Sequence, residues 1–140
     1  EQYDRLAKDP SLALAAVDEG MRYAPLPWVL PHTAVNDVHY KGVDFVEGDT
    51  VLILVPATNR DPNVMDEPHR FDIDRPRARN FSFGQGAHAC PAAQLARIEM
   101  AIAVERLVTR TSIQLAEEPA LTTSGKGRIP TSLLAHITKR

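Results

Sequence analysis

One segment of the sequence joins a single thiol to closely spaced glycines. Cys90 is the only cysteine among 140 residues, and it ends the run Phe83-Gly84-Gln85-Gly86-Ala87-His88-Ala89-Cys90. Because glycine readily adopts positive φ angles, Gly84 and Gly86 allow the chain to curl beneath a flat group and to direct amide hydrogens at sulfur. A thiolate presented in this way is suited to binding a metal. Taken alone, a lone cysteine is more often a small buried hydrophobe, and a pair of glycines is more often a turn.

A helical pattern follows the thiol. Pro91 suits the first position of a helix, where a missing N–H costs nothing, and Leu95, Ile98 and Ile102 recur at helical spacing. We therefore predict a long helix that begins at Pro91. The positive end of that helix would favour the anionic form of Cys90.

A second predicted helix, from about Pro10 to Tyr23, carries an acid and a base on one face. Asp9 suits its N-cap, and prolines at positions 25 and 27 end it. Glu19 and Arg22 are three residues apart and can pair. Alone, such a pair is common on solvated helices and stabilises a helix by only about 0.2–0.5 kcal/mol. The pair becomes informative because it lies upstream of the cysteine segment, so that two motifs occur together in one sequence.

Together these motifs resemble the bacterial branch of the cytochrome P450 superfamily, the haem-thiolate monooxygenases. The cysteine loop followed by Leu95-Ala96-Arg97 resembles the ligand loop of that family, and the segments 57–62 and 71–74 add to the likeness. The similarity runs roughly from Val17 to Glu99. Family members are far longer than 140 residues. The resemblance therefore implies that residues 1–140 form a single haem-binding, carboxyl-terminal fragment without the central helix that delivers protons to oxygen.

The resemblance also implies a cofactor and its ligand. The cofactor would be haem b, with the Cys90 thiolate as iron ligand and catalytic residue, an arrangement that favours O–O bond cleavage. His32, Asn80 and His88 stand where family members place donors to the haem propionates, although His32 is equally compatible with a strand histidine that binds nothing. Since members commonly have arginine and histidine in place of His32 and Asn80, we expect weaker and more pH-sensitive haem retention. The residues implied for cofactor binding are His32, Asn80, Phe83, Gly84, Gly86, His88, Cys90, Pro91 and Ala96.

The resemblance further implies a buried structural triad of one glutamate and two arginines. Glu19 and Arg22 supply the first two members. Pro68-His69-Arg70-Phe71 occupies the matching position for the third, which makes Arg70 the predicted member and Arg75 the alternative.

Composition excludes several other classes of protein. The chain has 16 basic and 18 acidic residues, a net charge of -2, and no basic stripe with interleaved aromatics, so we expect no nucleic-acid binding. No apolar run approaches the ~20 residues that span a bilayer, and we expect a cytoplasmic protein without membrane contact. One cysteine excludes an intrachain disulfide, and a zinc site at His88 and Cys90 would lack further regularly spaced ligands.

Strand signals place the chain in the α+β class. Lys41-Gly42 is a turn between the predicted strands Val35–Tyr40 and Val43–Val46, and Val51–Val55 is a further short strand. Residues 59–83 read as a long irregular segment. After the second helix, residues 111–115 and 129–137 alternate as strands do, with a polar turn at residues 122–127.

The resulting hypothesis is a monooxygenase fragment that inserts one oxygen atom into a small apolar organic substrate and is inactive alone. A missing amino-terminal part or a separate chain would complete it. Arg75, Arg77 and Arg79, with Arg106 nearby, would dock a ferredoxin-like electron donor, although three arginines also suit a solvated loop. Two alternatives stay open: a non-catalytic remnant that keeps the scaffold as a binding module, and a haem-thiolate electron-transfer or sensor protein.

Overall fold

The computed structural model describes residues 2–76, 80–124 and 127–140. Within these ranges the helices are α1 (Gln2–Lys8), α2 (Ala13–Tyr23), the single turn α3 (Val55–Thr58) and α4 (Ala93–Arg110). The strands all pair as antiparallel two-stranded ribbons. They are β1 (Val29–Thr33), β2 (Val38–Tyr40), β3 (Val43–Phe45), β4 (Thr50–Leu54), β5 (Thr111–Leu115), β6 (Leu121–Ser124), β7 (Gly127–Pro130) and β8 (Ala135–Lys139). This architecture confirms the α+β class.

The two predicted helices form, with shifted starts. Asp9 caps the upstream helix as predicted, because its carboxylate accepts from the amide of Ser11 at 3.2 Å, but the first turn is a 3-10 turn and α2 begins at Ala13. The second helix begins at Ala93 instead of Pro91. The amide of Ala93 donates to the carbonyl of Cys90 at 3.2 Å, which makes residues 90–93 a turn ahead of α4.

The ribbons connect distant parts of the chain. β1 pairs with β4 so that His32 faces Val51, and β5 pairs with β8. The predicted Lys41-Gly42 turn is confirmed between β2 and β3, where both residues adopt positive φ angles of 51° and 81°. The predicted strand at 129–137 is wrong as a single element, because β7 and β8 are separate and residues 121–124 pair with β7 as a hairpin.

The core lies between the helices. Leu6 of α1, Ala13 of α2 and Val108 of α4 are buried together, and the half-buried residues packed against them are Tyr3, Ala7, Leu12, Ala16, Ala101 and Val104. The alanines of α2 and α4 in this cluster, Ala13, Ala16 and Ala101, let the two helices approach closely. The junction therefore fixes α4, and with it the cysteine segment that leads into α4, relative to Glu19 and Arg22.

Residues 59–83 are irregular where described, as predicted, yet they are anchored. Asn59, Met65, Ile73 and Ser82 are all buried. The segment therefore packs beneath α2 instead of extending into solvent. None of the helices in the described ranges combines the length and the apolar character needed to cross a membrane.

Candidate functional site

The segment that carries the thiol is folded by its glycines. Gly84 and Gly86 adopt φ angles of 69° and 74°, which L side chains rarely adopt, and a 3-10 turn covers Gly86–His88. The amide of Gly84 donates to the carbonyl of Phe81 at 2.9 Å, and the amide of Cys90 donates to the carbonyl of Phe83 at 2.8 Å. These bonds close residues 81–90 into a compact loop, called the cysteine loop below.

The cysteine loop forms one wall of a cleft of about 780 Å³. Cys90 is half-buried in it, and β1 and β4 provide the opposite wall. Most of the lining surface is apolar, so a thiol faces a largely apolar space. The lining residues are Pro27, Leu30, Pro31, His32, Thr33, Ile53, Phe81, Ser82, Phe83, Gly84, Gln85, His88 and Cys90.

Two imidazoles meet in this cleft. The rings of His32 and His88 lie 6.2 Å apart, centroid to centroid, in an edge-to-face arrangement. His32 comes from β1, with its Nδ1 3.3 Å from the carbonyl of Leu30, and His88 comes from the cysteine loop. Both are exposed. The structure thus brings together two of the three propionate donors named from the sequence.

The third, Asn80, is placed differently. Its Oδ1 accepts from the amide of Ser82 at 3.2 Å, and the residue lines a separate cleft between α2 and α4. Its side-chain oxygen caps the start of the cysteine loop, and Asn80 is not among the residues that line the Cys90 cleft, so its role as a propionate donor stays a prediction. Gly86, Pro91 and Ala96 also lie outside the residues that line the Cys90 cleft, whereas Phe83 and Gly84 line it. Gln85 lines it too, and no sequence motif indicated that.

Glu19 and Arg22 form a buried bidentate pair. Arg22 Nε and Nη2 donate to the two carboxylate oxygens of Glu19, both at 2.7 Å, and the side chains are 4% and 2% exposed. The guanidinium also donates to main-chain carbonyls of Asn59, Pro68 and Arg70. Arg22 therefore ties α2 to three points of the segment 59–70, well beyond a surface ion pair.

The third triad member is Arg75, and the prediction of Arg70 is wrong. Arg75 Nε lies 3.3 Å from Glu19 Oε1, with its side chain 11% exposed. The Arg70 guanidinium is exposed and pairs with Glu67 at 2.9 Å, while the Arg70 carbonyl accepts from both Arg22 and Arg75. Arg70 thus contributes its main-chain carbonyl to the network around Glu19 and Arg22, whereas Arg75 contributes its charged side chain.

The same geometry removes Arg75 from the predicted docking cluster, because its guanidinium is engaged beneath the surface. Arg77 and Arg79, the other predicted members, lie outside the described residues. Arg106 is exposed on α4.

The charge of Glu19 is held by its partners. Burial raises the pKa of Glu19, but hydrogen bonds from Arg22, from the amide of Asp72 and from Arg75, together with the charge of Arg22, outweigh burial and hold that pKa below its ordinary value of 4.5. Glu19 is therefore ionised in the folded protein at neutral pH.

Three further polar contacts were not indicated by the sequence. Asn59 is fully buried and its Oδ1 accepts from the amide of Phe81 at 2.7 Å, while Ser82 Oγ donates to the carbonyl of Met21 at 2.7 Å. Arg97 of α4 pairs with Asp18 of α2 through both carboxylate oxygens. Only the burial of Asn59 and Arg97 distinguishes them, and burial is not readable from one sequence.

Comparison with known proteins decides the family. The family model for cytochrome P450 matches residues 3–135. The chain belongs to the cytochrome P450 family. It is 37% identical over 118 residues to the biotin biosynthesis cytochrome P450 of Bacillus subtilis (strain 168), covering 84% of this chain and 30% of that protein. It is 41% identical over 108 residues to the vitamin D(3) 25-hydroxylase of Pseudonocardia autotrophica, covering 76% of this chain and 27% of that protein.

Solved cytochrome P450 structures match the fold as well. The structure of P450BioI in complex with an acyl carrier protein ligated to hexadec-9Z-enoic acid superposes with a TM-score of 0.91 at 34% identity, covering 100% of this chain and 36% of that one. The architecture is thus a partial cytochrome P450 fold. The chain spans about a third or less of the relatives it matches.

Cytochrome P450 proteins bind haem b, and the residues of the Cys90 cleft fit that group. Cys90 supplies a sulfur donor, the apolar lining suits a porphyrin, and the imidazoles of His32 and His88 are available to anionic propionates. The cytochrome P450 assignment therefore agrees with the chemistry of the cleft.

Proposed function

We propose that this chain is the haem-binding part of a monooxygenase, in which the thiolate of Cys90 would bind haem iron. The observation that supports the proposal most strongly is the half-buried thiol in a largely apolar cleft, on a loop closed by Gly84 and Gly86. Haem held by a thiolate supplies the cleavage of the O–O bond, which allows one oxygen atom to be inserted into an organic substrate.

The chain's own residues would prepare the cleft for that chemistry. The cysteine loop fixes the direction of Cys90, and Phe83 beside it limits the access of water to the sulfur. His32 and His88 would donate to the propionates and so help to hold the cofactor. Each of these roles follows from a side chain that lines the cleft.

We propose an apolar organic substrate, because Leu30, Ile53 and the neighbouring prolines present hydrocarbon to the cleft. Relatives named for vitamin D(3) hydroxylation and biotin biosynthesis are consistent with such a class. A ferredoxin-like electron donor belongs to the same proposal, with exposed Arg106 as a contact in place of Arg75, whose guanidinium is bonded to Glu19.

Turnover, in this proposal, needs the part of the cytochrome P450 fold that the relatives have in addition. The outer face of α4 exposes Leu95, Ile98 and Ile102 to 59%, 53% and 51%, opposite the face that packs on α1 and α2. Exposed aliphatic side chains at helical spacing are typical of a face that packs against further protein. We propose that residues 1–140 act as one haem-binding unit within such a larger fold.

The carbon monoxide difference spectrum of the reduced, haem-loaded chain tests the proposal. We expect the Soret shift of a thiolate-ligated haem in the wild type and its loss in Cys90→Ser. His69→Ala, a change outside the Cys90 cleft, serves as control and should leave the spectrum unchanged. A wild-type spectrum without the thiolate shift, or one that Cys90→Ser retains, would remove Cys90 as the ligand.

A further inference from the structure

Asn59 connects the buried Glu19–Arg22 pair to the cysteine loop. We propose that it is a positioning residue, which transmits the placement of α2 to Phe81 and so fixes where Cys90 stands. The inference rests on the proposed function, because the loop matters chemically only if Cys90 binds haem iron.

The side-chain amide and the main-chain carbonyl of Asn59 have partners in α2 on one side and in the loop on the other. Its main-chain carbonyl accepts from Arg22 Nη1 at 3.1 Å, and its Nδ2 lies 3.4 Å from the carbonyl of Arg22. Toward the loop, its Oδ1 accepts from the amide of Phe81 at 2.7 Å and its Nδ2 donates to Ser82 Oγ at 3.1 Å. The side chain is completely buried, so water does not compete for these bonds.

The acceptors on α2 are available for a physical reason. Carbonyls of the last helical turn lack partners within the helix, and Met21 and Arg22 belong to that turn of α2. Ser82 Oγ donates to the carbonyl of Met21, and Asn59 Nδ2 faces that of Arg22. The end of α2 thus serves as a fixed base to which the cysteine loop is bonded.

From Phe81 the constraint continues along the loop to the thiol. The carbonyl of Phe81 accepts from Gly84, whose positive φ sets the bend, and the carbonyl of Phe83 accepts from the amide of Cys90. A shift of Phe81 would therefore displace both turns that present Cys90. A buried asparagine that merely filled space would not need an acceptor aimed at the first amide of the loop.

The test uses Asn59→Ala, with Ser82→Ala as a milder second variant and Asn63→Ala as a matched control. Asn63 is exposed and bonds only locally, to Asp61. Two measurements on the haem-free 140-residue chain report local opening of the cysteine loop. They are the amide hydrogen exchange of residues 81–90 and the rate at which a thiol reagent modifies Cys90. Exchange of α4 amides reports global unfolding.

We expect both loop readouts to be faster by about tenfold in Asn59→Ala relative to any change in α4, the ratio typical of losing one or two buried hydrogen bonds from a local opening. Ser82→Ala should change in the same direction by less, and Asn63→Ala should match the wild type. Equal acceleration of loop and α4 amides, or no acceleration, would show that Asn59 only contributes to general stability and would overturn the proposal.

The haem-loaded protein provides an independent readout. The fraction of carbon monoxide complex with the thiolate spectrum should fall in Asn59→Ala and Ser82→Ala and stay unchanged in Asn63→Ala. If the wild type itself lacked the thiolate spectrum, the proposed function would fail, while the exchange pattern would still decide the role of Asn59.

Discussion

The Nε atom of Arg75 lies 3.3 Å from Oε1 of Glu19, and the two side chains are 11% and 4% exposed. Arg70, five residues earlier, keeps its guanidinium at the surface and contributes its carbonyl to the same network. The charge balance of this buried site therefore depends on Glu19, Arg22 and Arg75.

This assignment predicts different costs for two arginine substitutions. Arg75→Ala should lower the free energy of unfolding by about 3 kcal/mol, because it breaks a buried charge network around Glu19. Arg70→Ala should lower it by less than about 1 kcal/mol, since the Arg70 side chain is exposed where it pairs with Glu67 and Asp72, and the carbonyl is retained. Urea unfolding of the two variants checks the difference. Equal losses, or a larger loss in Arg70→Ala, would contradict the assignment.

The ionisation of Glu19 predicts a loss of stability in acid. Its pKa is lower in the folded protein than its ordinary value of 4.5, so its contribution is complete above about pH 4.5 and declines as pH falls through the folded pKa. Between pH 4.5 and pH 3 the unfolding free energy of the wild type should therefore fall more steeply than that of Glu19→Gln. The pKa of Asp74 is also lowered, by the hydrogen bond from Arg5. Because Asp74 is present in both proteins, its contribution cancels in the difference between their pH profiles.

The control for this pH series is Glu105→Gln, which changes an exposed carboxylate of α4. Its stability should follow the wild-type pH profile. Parallel profiles for the wild type and Glu19→Gln would rule out Glu19 as the source of the acid sensitivity.

Gly127 predicts a steric effect on the only tryptophan. A Cβ at this position would lie 2.8 Å from the carbonyl oxygen of Leu26 and 3.0 Å from Trp28 Cδ1, and the φ angle is +142°. Gly127→Ala should cost about 2 kcal/mol of stability and shift the emission of Trp28, because the β6–β7 hairpin must move away. Gly48→Ala is the control for backbone strain alone, because Gly48 also has a positive φ angle, +92°, but a Cβ there would meet no atom within 4 Å. Identical emission in both variants would argue against this packing.

The two imidazoles of the cleft predict that haem retention can be improved. His32→Arg should slow haem transfer to an apo-globin acceptor several-fold, because a guanidinium forms charge-assisted, bidentate bonds to a carboxylate. His69→Arg adds the same charge outside the Cys90 cleft and should leave the rate unchanged. A similar change in both variants would indicate a general charge effect and would exclude His32 from the propionate site.

Local chemistry made part of this protein predictable from sequence. Gly84 and Gly86 were identified from the backbone angles that a tight loop needs, Asp9 from its capping chemistry, and Glu19 with Arg22 from helical spacing. The choice between Arg70 and Arg75 was not predictable in this way, because it depends on how residues 66–75 fold back on α2. Asn59 was missed for the same reason, since its partners are 22 to 37 residues away.

The start of α4 differs from the predicted start for a physical reason as well. Pro91 suits a first helical turn, yet α4 begins at Ala93 because Cys90 and Ala93 form a turn first. The resemblance places Asn80 at the cofactor, and in the structure its Oδ1 caps the amide of Ser82. A position inherited from a family pattern fixes a place along the chain and leaves the direction of the side chain to local hydrogen bonds.

X-ray absorption at the iron edge of the haem-loaded protein tests the central claim, that the sulfur of Cys90 binds haem iron. The account predicts one sulfur neighbour of iron in the wild type and none in Cys90→Ser. Iron surrounded only by nitrogen and oxygen in the wild type, or a sulfur neighbour that persists in Cys90→Ser, would contradict it.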